Sequence, residues 1–117
     1  MTYVLDASAI LALIKKENGY LKIKKILATQ PRPFIHAINR LEVEYKLKKF
    51  YSEETLKEMR DWMKKAPMMT VELLTPEITD YARKLKTDYA LSLADSIGLA
   101  LAKWVNYPFL TADRQEL

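Results

Sequence analysis

Four short apolar runs, separated by longer segments that carry helix caps and helical spacing, constrain this chain more than anything else in it. The runs are residues 2–6 ("TYVLD"), "FIHAI" at 34–38, "MMTVELL" at 68–74 and "YPFLTA" at 107–112. The first is mostly apolar rather than alternating, which is the pattern of a strand buried on both faces. The order strand, helices, strand, helices, strand, helices, strand argues for an α/β chain with a mainly parallel central sheet flanked by helices. In such sheets ligands bind at the carboxyl ends of the strands. That places the residues after each run under scrutiny.

The intervening segments read as helices from their caps. Ser8 is expected to cap a helix running to about Lys16, which "ENGY" then breaks. "YLKIKKILAT" is a short amphipathic helix, and the two prolines of "QPRPF" end it. Asn39 is the expected cap of "NRLEVEYKLKKF". Ser52 caps "SEETLKEMRDWMKKA", with acids in its first turn and Lys64 and Lys65 in its last. Thr75 caps the next helix with Pro76 at its first position. "SLADSIGLALAKWVN" is a strongly apolar helix.

At 117 residues one domain is expected over 1–117. Half the residues are hydrophobic and 29% charged, enough for a real core and against disorder. There is no cysteine, which removes disulfides and thiolate chemistry and fits a reducing compartment. No stretch reaches the ~18–20 apolar residues of a membrane span, and no basic leader precedes the first run. A cytoplasmic protein is expected. The net charge of +4 is compatible with a polyanionic partner.

Several acids fall where the strands end. Asp6 closes the first run. Glu42 is expected in the first turn of the helix after the second. Asp113 follows the fourth, two residues past Thr111. Asp95 lies early in the apolar helix, with Leu91 and Leu99 one turn away on either side. Any one of them could be a turn residue or a helix cap, and Ser92 and Ser96 could satisfy Asp95 locally. Together they read differently. Carboxylates brought close raise one another's pKa, and sequences accept that cost mainly where a divalent cation offsets it. Oxygen ligands without thiolate or imidazole favour Mg²⁺ or Mn²⁺ over zinc, and such ions serve phosphodiester chemistry.

Other residues are weaker candidates. His36 is the only histidine and reads as structural. Lysine clusters at 15–16, 22–25, 46–49 and 83–86 read as solvated helix faces or as a surface that tracks phosphates. Arg40 and Arg114, beside acids in sequence, could hold a phosphate or pair with an acid.

The blocks "VLDASAILAL", "HAINRLEVEY", "YALSLADSIGLALA" and "FLTADRQEL" together resemble the PIN-domain family, in particular the small VapC-type toxins of toxin–antitoxin pairs. The resemblance covers nearly the whole chain in order. It implies a PIN-like three-layer fold with an acidic pocket. It carries the catalytic and metal-holding acids onto Asp6, Glu42, Asp95 and Asp113, with Ser8, Asn39 and Thr111 in support. It implies one or two Mg²⁺ or Mn²⁺ ions, RNA as substrate, 5′-phosphate and 3′-hydroxyl products, a cognate antitoxin and a homodimer. Members of the family usually run further past the last acid. Here four residues follow Asp113, so a form shortened at the C-terminus is one reading.

The expected function is a metal-dependent endoribonuclease. The alternative is a catalytically inactive PIN-like binding or regulatory module. A haloacid-dehalogenase-type phosphatase would need a second Asp where Ser8 stands, and no GxxxxGK motif for a nucleotide triphosphate is present.

Overall fold

The computed structural model of the chain describes residues 2–17, 19–29, 32–65 and 68–112. Its order is β1 (Val4–Leu5), α1 (Ala7–Lys15), α2 (Tyr20–Thr29), β2 (Phe34–His36), α3 (Ala37–Phe50), α4 (Glu53–Lys65), β3 (Met69–Val71), α5 (Pro76–Asp88), α6 (Leu93–Val105) and β4 (Phe109–Leu110). The strands form one sheet in the order β3-β2-β1-β4, and every pairing is parallel. The expected fold class is the one observed.

Alternation along the strands builds two cores. Val4 and Phe34 face α5 and α6 with Ile78, Ile97, Ala100 and Leu101. Leu5 and Ile35 face the other way, toward Ile10, Val43, Leu47, Leu56 and Met59. Successive strand residues point to opposite faces, so a strand of two or three residues can still feed both layers. The chain builds β1, β2 and β3 in one direction, then crosses back with α5 and α6 to lay β4 on the other side of β1. The gap between β1 and β4 is therefore the topological switch point, where parallel sheets open a crevice.

Two helix starts differ from the sequence reading. Ser8 lies inside α1, and Asp6 is the cap, its side chain accepting from the Ala9 backbone N–H. His36 rather than Asn39 caps α3. Its Nδ1 accepts from the Ile38 N–H at 3.1 Å, and its Nε2 lies 2.8 Å from the Leu73 carbonyl. That sets one tautomer, with the proton on Nε2, and makes His36 the structural residue that was expected. Because α3 starts at Ala37, Glu42 sits in its second turn rather than its first. The expected caps Ser52 and Thr75 are observed.

Asn39, displaced from its expected capping role, is fully buried where α3 crosses α6. Its Nδ2 donates to the Ala94 carbonyl at 3.0 Å, and its Oδ1 has no hydrogen-bond partner among the described residues. The crossing is close because Gly98 has no side chain. A Cβ there would lie 2.8 Å from Asn39 Oδ1 and 3.0 Å from a Phe109 ring carbon. Helix propensity alone favours alanine over glycine by about 1 kcal/mol. Overpacking of a tight core costs about 1–3 kcal/mol, and here the neighbours come from both α3 and β4. Gly98→Ala should therefore lower the chemical-denaturation midpoint. A midpoint equal to or above wild type would show that the crossing is loose.

Candidate functional site at the end of strand β1

Asp6 is the last residue of the central ladder. Its backbone N–H donates to the Leu110 carbonyl, extending the β1–β4 pairing by one residue. The chain then turns into α1, which leaves the carboxylate at the N-terminus of that helix and at the mouth of the switch point. The side chain is 1% exposed. Its Oδ1 accepts from Ser8 Oγ at 2.7 Å and from the Ala9 N–H at 2.9 Å, and its Oδ2 accepts from Thr111 Oγ1 at 2.6 Å. Ser8 Oγ also accepts from the Ala112 N–H at 2.9 Å. The two hydroxyl oxygens lie 3.0 Å apart. Each has one proton, and both protons are directed at the carboxylate, so that approach is a contact between oxygens.

Three donors use most of the roughly four lone-pair directions a carboxylate offers. The N-terminus of α1 adds a favourable dipole. Even so, the Asp6 pKa is raised above the ordinary aspartate value. Burial is the largest cause, and the negative charge of Asp95 adds to it. The hydrogen bonds from Thr111, Ala9 and Ser8 pull the other way without cancelling the rise.

Asp95, on α6 in the opposite layer, lies near enough for its charge to act on Asp6. Ser92 caps α6 by accepting from the Asp95 N–H at 3.1 Å, and Ser96 donates its hydroxyl back to the Ser92 carbonyl at 2.9 Å. Both serines serve the helix backbone, so the local satisfaction of the Asp95 carboxylate considered above does not occur. Asp95 is 9% exposed, and among the described residues its carboxylate has no ion pair. Asn39, bonded to the carbonyl of Ala94, ties α3 to the turn of α6 that carries it.

The remaining candidates lie elsewhere or outside view. Glu42 pairs with Lys46 at 3.4 Å along α3. Among the described residues no group of three acids or histidines stands close enough to hold a metal ion. Asp113 and Arg114 lie outside the described residues. Arg40 donates from Nη1 to Thr70 Oγ1 at 2.9 Å and has no acid as partner among those residues. The structure thus brings together Asp6, Ser8, Thr111 and Asp95. The backbone N–H groups of Ala9 and Ala112, which no residue-type motif could single out, complete the arrangement.

The donor set suits a hard cation. Both carboxylates are nearly buried, the charge of Asp95 raises the Asp6 pKa, and neither acid has an ion pair among the described residues. Asp6 has roughly one lone pair uncommitted, and an ion such as Mg²⁺ ordinarily takes one or two carboxylates and completes its shell with water.

A family model for the PIN domain matches residues 3–115. Comparison with curated proteins finds no match. Among solved structures, the chain is similar to a toxin–antitoxin complex from Klebsiella pneumoniae, at 23% identity and a TM-score of 0.73, covering 97% of this chain and 88% of the other. It is similar to the sarcin–ricin loop cleaving toxin VapC20 of Mycobacterium tuberculosis, at 14% identity and a TM-score of 0.77, covering 96% and 90%. It is also similar to VapBC2 of Rickettsia felis bound to a promoter DNA fragment, at 19% identity and a TM-score of 0.76, covering 98% and 90%.

The raised pKa of Asp6 has a signed consequence. A carboxyl whose folded pKa lies above its unfolded value holds its proton more tightly when folded. The cost of ionising it in place is absent below the unfolded pKa of about 3.9. That cost grows as pH rises toward the folded pKa and is complete above it. Asn at this position carries no such cost. The melting temperature of Asp6→Asn minus that of wild type, measured without divalent ions, should therefore be larger at pH 7 than at pH 4. A difference independent of pH would show that Asp6 is not held at a raised pKa.

Proposed function

The chain belongs to the PIN-domain family, and from that premise we propose that it is a metal-dependent endoribonuclease, the toxin of a toxin–antitoxin pair. One observation carries the reading: two nearly buried carboxylates, Asp6 and Asp95, lie close enough for the charge of Asp95 to raise the Asp6 pKa, and neither has an ion pair among the described residues. A domain that only bound partners would gain nothing from that repulsion.

In this reading Asp6 and Asp95 hold a Mg²⁺ or Mn²⁺ ion, Asp113 is a further ligand, and Glu42, paired with Lys46 in this structure, acts on the ion through water once it leaves that pair. Engaging Glu42 costs little, because an (i, i+4) pair on a helix surface is worth only about 0.2–0.5 kcal/mol. Such an ion supplies an activated water and stabilises charge on the phosphate. The protein's own share is placement. Ser8 and Thr111 hold the Asp6 carboxylate from both sides, α1 directs its N-terminus at it, and Asn39 secures the first turn of α6. Hydrolysis adds water to phosphorus and breaks the bond to O3′, leaving a 5′-phosphate and a 3′-hydroxyl.

Two of the similar solved structures are described as a toxin–antitoxin complex and as a VapBC pair, which supports a cognate antitoxin as partner. Exposed apolar side chains such as Leu41, Tyr45, Leu73 and Leu93 supply surface for a protein partner, including a second copy of the chain. A solution mass of one chain would remove the homodimer. No helix among the described residues is long and apolar enough to cross a membrane.

Purified protein with Mn²⁺ should cleave RNA, and the antitoxin should suppress it. Asp6→Asn should lower the rate by roughly 10²-fold or more, on the scale of losing a central electrostatic group. Thr111→Ala should cost roughly 10–100-fold, as for groups that orient a metal ligand. Full activity in Asp6→Asn would refute the assignment. Absence of cleavage across diverse RNAs would favour the inactive binding module.

A further inference from the structure

A second charged feature lies away from the carboxylates, beside β3 at the outer edge of the sheet. A cleft of about 480 Å³ is lined by Arg32, Arg40, Arg60 and Lys64 together with Met63, Met68 and Met69. Its four cations come from three separate segments: the approach to β2, the start of α3 and the end of α4. None of the residues around Asp6 belongs to it. With parallel strands ~4.8 Å apart, β3 lies about 10 Å across the sheet from β1.

The charges are only partly used by the protein. Arg40 donates to the neutral hydroxyl of Thr70, and Arg60 gives its Nε to Glu44 at 3.1 Å. Arg32 and Lys64 have no ion pair among the described residues, and no acid lines the cleft. Arg32 also has a left-handed backbone, at φ 42°. For a residue other than glycine that conformation is unfavourable. Gathering four cations in one cleft is unfavourable unless an anion enters.

We propose that this cleft holds a backbone phosphate of single-stranded RNA, at a stretch of the strand away from the one cut at Asp6. Arginine favours phosphate because its planar fork donates two parallel hydrogen bonds to phosphate oxygens, and three of the four cations here are arginines. The methionines add a second element. Met63 is buried and Met69 is 46% exposed, so thioether surface stands beside the cations, and methionine sulfur makes favourable contacts with aromatic rings. A nucleotide offers both partners, a phosphate for the arginines and a base for the methionines. An acidic peptide offers carboxylates without an aromatic face. The proposal rests on RNA as substrate and adds an anchoring site to it.

The test measures affinity for a fluorescent single-stranded RNA in EDTA across a potassium chloride series, so that binding is read without cleavage. Arg32→Gln/Lys64→Gln removes the two cations that have no ion pair among the described residues and leaves Arg40 and Arg60 in place. Lys22→Gln/Lys25→Gln removes the same charge from α2, away from the cleft. The cleft variant should bind several-fold more weakly at low salt, with a log–log salt slope shallower by roughly 1 for each cation lost. The α2 variant should stay near wild type. In Mn²⁺ the cleft variant should raise KM and leave kcat unchanged. Equal weakening in both variants, wild-type affinity in the cleft variant, or no RNA binding by wild-type protein would each overturn the proposal. Cleft-dependent binding without cleavage in Mn²⁺ would uphold the anchoring site and remove the nuclease assignment instead.

Discussion

The structure depends on one buried carboxylate held by three hydrogen bonds. Asp6 ends β1, caps α1 and accepts from Thr111 beyond β4, so a single side chain joins the central strand, the first helix and the last strand. An ionised carboxylate at this depth costs several kcal/mol of lost hydration. Hydrogen bonds to a charged group return about 1.5–3 kcal/mol each. Those bonds fasten the switch point together, and the residual cost shows in the raised Asp6 pKa. The same residue thus closes the fold and, in the proposed function, holds the metal ion. The two roles are compatible because a carboxylate has two oxygens and about four lone-pair directions.

How far this was legible in the sequence follows from what each residue depends on. The parallel sheet was readable because alternating strands and capped helices leave few other arrangements. Asp6 and Asp95 were readable as candidates because an acid at a strand end or in an apolar helix is costly without a reason. The caps are less legible. Ser8 and Asn39 have side chains suited to capping, yet Asp6 and His36 occupy those positions, because each helix begins directly where its strand ends. The three-residue shift from Asn39 to His36 puts Glu42 in the second turn of α3, beside Lys46 rather than among the other acids. The backbone donors of Ala9 and Ala112 had no signal, since any residue can supply an N–H. The close crossing at Gly98 had none either. It depends on Asn39 and Phe109, which meet it only in three dimensions.

Charge is divided between two sites of opposite sign in a chain of net +4. The acidic one lies at the switch point between β1 and β4, and the basic one beside β3. A polyanion steered by the overall positive charge would meet repulsion at the carboxylates unless an ion sits there. A basic cleft further along the sheet supplies attraction where the acidic site cannot. The two sites together suit the polyanionic partner proposed above.

The central claim is that Asp6 and Asp95 share a hard divalent cation. Calorimetric titration of Mn²⁺ into wild-type protein and into Asp95→Asn tests it most directly. A cysteine-free chain whose one histidine is committed to the backbone has few competing sites. Wild-type protein should give saturable heat that disappears in the variant. No saturable heat from the wild type, or the same isotherm from both proteins, would contradict it.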